Sequence, residues 1–102
     1  MADDYTVADS APQHRYEIRD ADGELAGFAH YERVTEGDRE VTVLDRTVVF
    51  PDFQGQGIGG RLARAALADV RGRGGLVEPA CPFIEGWIDK HPDQQDLLVR
   101  PA

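Results

Sequence analysis

The chain has 102 residues, 41% of them hydrophobic, and a formal net charge of −8. That length holds one small domain with a single core, and no apolar run approaches the roughly 20 residues that cross a bilayer. The acidity argues against nucleic acid or a membrane as partner, since both select basic surfaces, and leaves an amine-bearing substrate as the class it favours.

Residues 1–13 carry Asp3, Asp4, Asp9, Ser10 and Pro12 without periodicity and read as a loose tail. Their acidic character fits neither a signal peptide nor a transit segment. The alternation in Arg15-Tyr16-Glu17-Ile18-Arg19 predicts a strand with Tyr16 and Ile18 on one face. Asp20 to Glu24 predicts a tight turn, and Leu25 to Arg33 a second strand with Leu25, Ala29 and Tyr31 inward. After a polar turn around Gly37, Glu40 to Phe50 predicts a third strand. Its alternation breaks at Leu44-Asp45-Arg46, where a bulge would re-aim side chains.

From Gly57 to about Arg71 the spacing of Ile58, Leu62, Ala65, Ala66 and Val70 predicts a helix with one apolar face. Gly72 to Gly75 ends it. Leu76 to Pro79 reads as a fourth strand returned by the crossover beside the third. Pro82 to about Lys90 predicts a second helix, and Leu97 to Val99 a short apolar close. The expectation is one α/β domain over residues 14–102: three antiparallel strands, a crossover helix, a fourth strand parallel to the third, and a second helix.

Between the third strand and the first helix lies Gln54-Gly55-Gln56-Gly57-Ile58-Gly59-Gly60-Arg61. A glycine loop there leaves backbone N–H groups unpaired at the positive end of a helix dipole, a seat for a phosphate. The dinucleotide fingerprint requires a first βα turn with a later acid, and a Walker loop requires Lys and Ser/Thr. Neither pattern is present.

The order Gln54, Gly57, Gly59 resembles the acyl-CoA loop of the GNAT acetyltransferase superfamily, R/Q-x-x-G-x-G/A. Thr47 and Val49, the segment Val77, Pro79, Cys81, Pro82, Phe83, and the close Lys90-His91-Pro92 with Leu98-Val99 narrow the likeness to a short GNAT-like family. The resemblance covers about Arg15 to Val99. It implies a mixed sheet, one acetyl-CoA or CoA site, and no metal. The Val49 backbone would hold the acyl or pantetheine carbonyl, and the amides of Gln54, Gly55, Gln56, Gly57, Ile58 and Gly59 the pyrophosphate, with Gly60 opening space and Arg61 reaching a CoA phosphate. The chain departs from the family at Arg46-Thr47-Val48-Val49, where members commonly carry His-Thr-Glu-Val.

Acetyl transfer needs a neutral amine, a polarised carbonyl and a proton for the leaving thiolate. Cys81, at the start of a predicted helix, is the candidate nucleophile, against the alternative of a small packed residue. Asp45 is the candidate carboxylate, against a surface role. His30 is a weaker candidate base; His14 reads as solvated, His91 as a helix cap and Trp87 as core. One cysteine excludes an internal disulfide and fits a reducing cytoplasm. The reading is an acetyl-CoA-dependent N-acetyltransferase acting on an amine of a small molecule or protein, as a monomer or weak homodimer. The alternative is a CoA-binding module with little turnover.

Overall fold

The computed structural model describes residues 4–99. Its elements are β1 (Thr6–Ser10), a short 3-10 turn (Ala11–Gln13), β2 (Arg15–Arg19), β3 (Leu25–Glu36), β4 (Arg39–Val49), a second 3-10 turn (Pro51–Phe53), α1 (Ile58–Gly72), β5 (Leu76–Pro79), α2 (Pro82–Asp89) and a last 3-10 segment (Pro92–Leu97). The sheet order is β1-β2-β3-β4-β5. The first four strands run antiparallel, and α1 carries the chain back so that β5 lies parallel to β4. The predicted α/β meander, crossover helix and parallel strand are therefore the arrangement found.

One stretch differs from expectation. Residues 6–10, read as part of a loose tail, form β1 and pair with β2 from Thr6↔Arg19 to Ser10↔Arg15. Val7 packs against the core, but the rest of the strand is held by its ladder with β2 and by polar ties, which is why its sequence looks unstructured. Tyr31 donates its hydroxyl hydrogen bond to Asp9, and Arg33 reaches the same carboxylate at 3.3 Å. Residues 1–3 of the expected tail and residues 100–102 of the expected domain lie outside the described residues.

α1 packs its apolar stripe, Ile58, Leu62, Ala63, Ala66, Leu67 and Val70, against Tyr16, Ile18, Ala29, Tyr31 and Leu44 of the sheet. Each large side chain buried this way contributes about 1.5–3 kcal/mol. Ala65, expected inward, is half-buried, while Ala63 takes the core position. A polar knot fixes the helix on the sheet. Tyr16 donates to Asp69 of α1 at 2.6 Å, and Arg33 donates to the Tyr16 hydroxyl at 2.6 Å while lying 4.0 Å over the Tyr31 ring. Burial, and then the bond to Asp69, push the Tyr16 phenol far above its ordinary range, so it stays a neutral donor.

The expected irregularity in the third predicted strand is a bulge. His30 stands opposite Arg46 and Tyr31 opposite Leu44, leaving Asp45 as the extra residue on β4. Pairing with β5 covers only Val41↔Leu76 to Leu44↔Pro79, followed by the amide of Ala80 on the Leu44 carbonyl at 2.9 Å. Beyond that point β4 runs on to Val49 without a β5 partner, and the two strands diverge. On its other side, β3 presses so close that a Cβ on Gly27 would lie 2.4 Å from the Val48 carbonyl oxygen.

Gly27→Ala is therefore expected to lower stability by about 1–3 kcal/mol, the usual cost of overpacking against backbone that cannot yield. Urea unfolding checks this; an unchanged midpoint would show that β4 can shift freely.

Candidate functional site

Where β4 leaves β5, a cavity of ≈ 420 Å³ opens, lined by Thr47, Val48, Val49, Gln54, Gly59 and Phe83. One wall is the end of β4, another the first turn of α1, and the third the start of α2. Phe83 is 45% exposed, large for an aromatic side chain, and it lies over Gly59 so closely that a Cβ there would meet its ring at 2.7 Å. The aromatic ring and the glycine together form an apolar lip.

The glycine loop enters α1 directly. Gly57 is the N-cap with φ 74°, a left-handed conformation that a side chain would strain. It offers no side-chain cap, so the amides of Ile58, Gly59 and Gly60 keep the unpaired character of a helix N-terminus. No acidic residue occupies the first turn. Residues 54–57 are exposed. Two details refine the sequence reading. The Gln54 amide already donates to the Pro51 carbonyl, at 3.3 Å, and so is not spare. The Gln54 side chain instead reaches the Val49 carbonyl at 3.4 Å, tying the loop to the strand end. Tyr5 clamps the loop from the other side by a hydrogen bond to Gln56, with the Arg61 guanidinium 5.2 Å over its ring.

Cys81 sits at the fork between the strands and is the N-cap of α2. Its Sγ lies 3.5 Å from the Thr47 hydroxyl, and the residue is 7% exposed. Burial pushes the thiol up, but the Thr47 hydroxyl and the amides of Ile84, Phe83 and Thr47 together outweigh it. The net position is below the ordinary thiol range. The Thr47 amide thus faces the gap, and by strand alternation so does that of Val49.

Asp45 lies on the opposite face of the sheet, where His30 Nδ1 meets its Oδ1 at 2.7 Å. The structure therefore separates the two candidate chemical groups: Cys81 at the fork, Asp45 at the bulge beside it. His30 was a weak candidate because no sequence signal discloses which residue a bulge will oppose. Thr47, the partner of Cys81, was missed as a functional side chain for the same reason. Trp87, expected in the core, is half-buried, stacked on His91 at 3.7 Å and lying 5.4 Å from the Arg64 guanidinium. His91 caps α2 through Nδ1 on the Trp87 carbonyl at 2.6 Å. Among the described residues no group of three or more His, Cys, Asp or Glu could hold a metal, and no helix is long and apolar enough to cross a membrane.

The profile described as GCN5-related N-acetyl-transferase matches residues 15–97. A mycothiol acetyltransferase from Salinispora arenicola (strain CNS-205) is 42% identical over 62 residues, which are 61% of this chain and 19% of that protein. The chain thus spans about a fifth of that curated relative. The solution structure of a GCN5-like protein from Staphylococcus aureus superimposes with a TM-score of 0.70 at 19% identity, covering 98% of this chain and 93% of the other. A ribosomal-protein-alanine N-acetyltransferase from Brucella melitensis biovar Abortus 2308 gives 0.55 at 17%, covering 90% and 68%. At these identities the two structures establish a shared fold.

The electrostatics at the fork set a measurable expectation. Because the Thr47 hydroxyl and the three amides favour the Cys81 thiolate, alkylation by iodoacetamide should rise with pH around a midpoint below that of the same thiol in the urea-unfolded chain. Thr47→Val should move that midpoint upward. Mass-spectrometric rates across pH check both; a folded-state midpoint at or above the unfolded one contradicts the stated balance of burial and hydrogen bonding.

Proposed function

Because the chain belongs to the GCN5-related N-acetyltransferase family, we propose that it moves an acetyl group from acetyl-CoA to an amine of a small molecule or protein. The observation that carries this reading is the meeting of two backbone surfaces across one cavity: the uncapped first-turn amides of α1 and the end of β4 past Leu44, which has no β5 partner. Acetyl-CoA supplies an acyl group already activated as a thioester. The residues present fit such a ligand, since a Cβ at Gly55 or Gly57 would meet nothing within 4 Å and the loop is open to a bulky diphosphate.

In this reading the amides of Gly55 to Gly60 hold the diphosphate, helped by the α1 dipole, and Arg61 contributes charge at its rim. The Val49 backbone, with Thr47, orients the pantetheine arm and the acyl carbonyl. Holding donor and acceptor side by side supplies much of the acceleration, so few side chains are required. Asp45 and Cys81 are the two chemical groups nearest the fork. Cys81, with its depressed thiol, suits either protonation of the leaving sulfur or nucleophilic attack. Full activity in Cys81→Ala would leave direct attack by the amine. A single thiol kept reduced suits the cytoplasm, and a monomer or weak homodimer suits the small sheet.

A second reading, a CoA-binding module with little turnover, is favoured by one feature: Arg46 and Val48 stand where related chains carry histidine and glutamate. An acetyl-CoA consumption assay against amines and peptides separates the two.

Gly60→Asp tests the seat itself. A carboxylate at this third helical position is favourable to the α1 dipole, and Trp87 lies at an ordinary 3.5 Å from the added Cβ. The fold should therefore persist with an unchanged melting temperature. CoA affinity by calorimetry should fall by about tenfold or more through charge repulsion. Unaltered CoA affinity in the folded variant would place the diphosphate elsewhere.

A further inference from the structure

By strand alternation, Arg15, Phe28, His30 and Arg46 project from the sheet face opposite α1. There the bulge borders a cavity of ≈ 390 Å³ lined by Gln13, Arg15, Phe28, His30, Asp45 and Arg46. Its charges are unevenly committed. Arg15 is held by Glu17 at 2.8 Å and lies 4.4 Å over the Phe28 ring. The exposed Arg46 lies 6.0 Å over the same ring and pairs with no carboxylate among the described residues. Asp45 accepts from His30 Nδ1 through one oxygen only. His30 Nε2 is 3.9 Å from Glu32, too far for a hydrogen bond.

We infer that this cavity binds the acceptor, and that the acceptor is a small amine that also carries a carboxylate. Its ammonium lies against Asp45 and His30, its carboxylate against the Arg46 fork, and its methylenes over Phe28. This rests on the acyl-transfer reading above and adds the substrate class to it. An amine alone leaves Arg46 unmatched, and a carboxylate alone meets the charge of Asp45; only a ligand with both charges satisfies both neighbours. The volume suits a small molecule.

The cavity also lies where an acceptor must be. Asp45 and Arg46 line it, and the next residues of the same strand, Thr47 to Val49, line the cavity assigned to the acyl arm. His30 is one strand away, about 4.8 Å in the sheet plane. With Nδ1–H donated to Asp45, its Nε2 retains a lone pair. The ammonium N–H bond breaks, its electron pair stays on nitrogen as the nucleophilic pair, and the proton forms the new N–H bond at Nε2. The Asp45 carboxylate stabilises the imidazolium so formed.

The test is a titration of the isotopically labelled full chain, alone and with saturating CoA, with 4-aminobutanoate. Butylamine and butanoate are the single-charge controls, and NMR shifts of the His30 ring and the Arg46 guanidinium are read. The aminocarboxylate should move both signals at concentrations about tenfold below either control, and Arg46→Gln should abolish that preference. His30→Gln should keep the Arg46 shift while lowering acetylation of 4-aminobutanoate by about 10²-fold. Shifts at neither residue, or equal response to butylamine, overturn the inference even if CoA binds and the acyl-transfer reading stands. Shifts as expected without CoA binding support the ligand site while removing the acyl-transfer reading.

Discussion

The parallel ladder between β4 and β5 stops after Leu44, and every feature of the candidate site follows from that interruption. Three local causes coincide. Asp45 is extruded from β4, Pro79 ends β5 with no amide to donate, and Pro82 starts α2 with its φ already set for a helix. The backbone groups of Thr47 to Val49 then face no strand on that side; the Gln54 side chain meets the Val49 carbonyl at 3.4 Å and the Thr47 amide faces Cys81. Buried and dry, each such group would cost about 1–3 kcal/mol. The structure avoids that penalty by opening the strands into a cavity, so the edge is stable only if water or a ligand meets it.

The second backbone surface, the start of α1, is held in place against the first by rigid means. The Tyr16–Asp69–Arg33 cluster fixes the helix on β2 and β3, the Gln54 side chain ties the loop to the Val49 carbonyl, and Tyr5 holds Gln56 from β1's side. The segment that looked least structured in sequence therefore helps shape the loop. A ligand spanning the loop and the strand edge would meet both in their final positions, which lowers the ordering cost of binding.

Much of this was legible in the sequence, and the rest was hidden for definable reasons. Strand alternation and the apolar stripe of α1 gave the architecture, and the glycine loop marked the strand-to-helix junction, because each is a local pattern. The break at Leu44-Asp45-Arg46 marked the bulge correctly, since two charges cannot both follow the period of a half-buried strand. β1 was not legible, because its attachment depends on Asp9 meeting Tyr31 and Arg33, partners more than twenty residues distant in the chain. His30 with Asp45, fifteen residues apart, and Thr47 with Cys81, thirty-four apart, are likewise non-local pairs. Pairings across strands depend on register, and a bulge shifts register by one residue without leaving a mark on the opposite strand.

The chain's acidity bears differently on the two ligands. A net charge of −8 would repel a polyanion at long range, yet at physiological salt that repulsion is screened beyond about 8 Å. Inside that distance the glycine loop presents amides and Arg61, with no carboxylate in the first turn of α1. Asp52, on the preceding turn, is exposed and points its charge into solvent-screened surroundings. An anion bound there, as proposed, would be held by short-range dipoles that the global field barely reaches. An amine approaching the bulge has the opposite relation to the protein, since the long-range field attracts it and Asp45 continues that attraction to contact. In the proposed arrangement, opposite polarities on the two sides of β4 would let one small sheet receive a polyanion from one face and an amine from the other without either site cancelling the other.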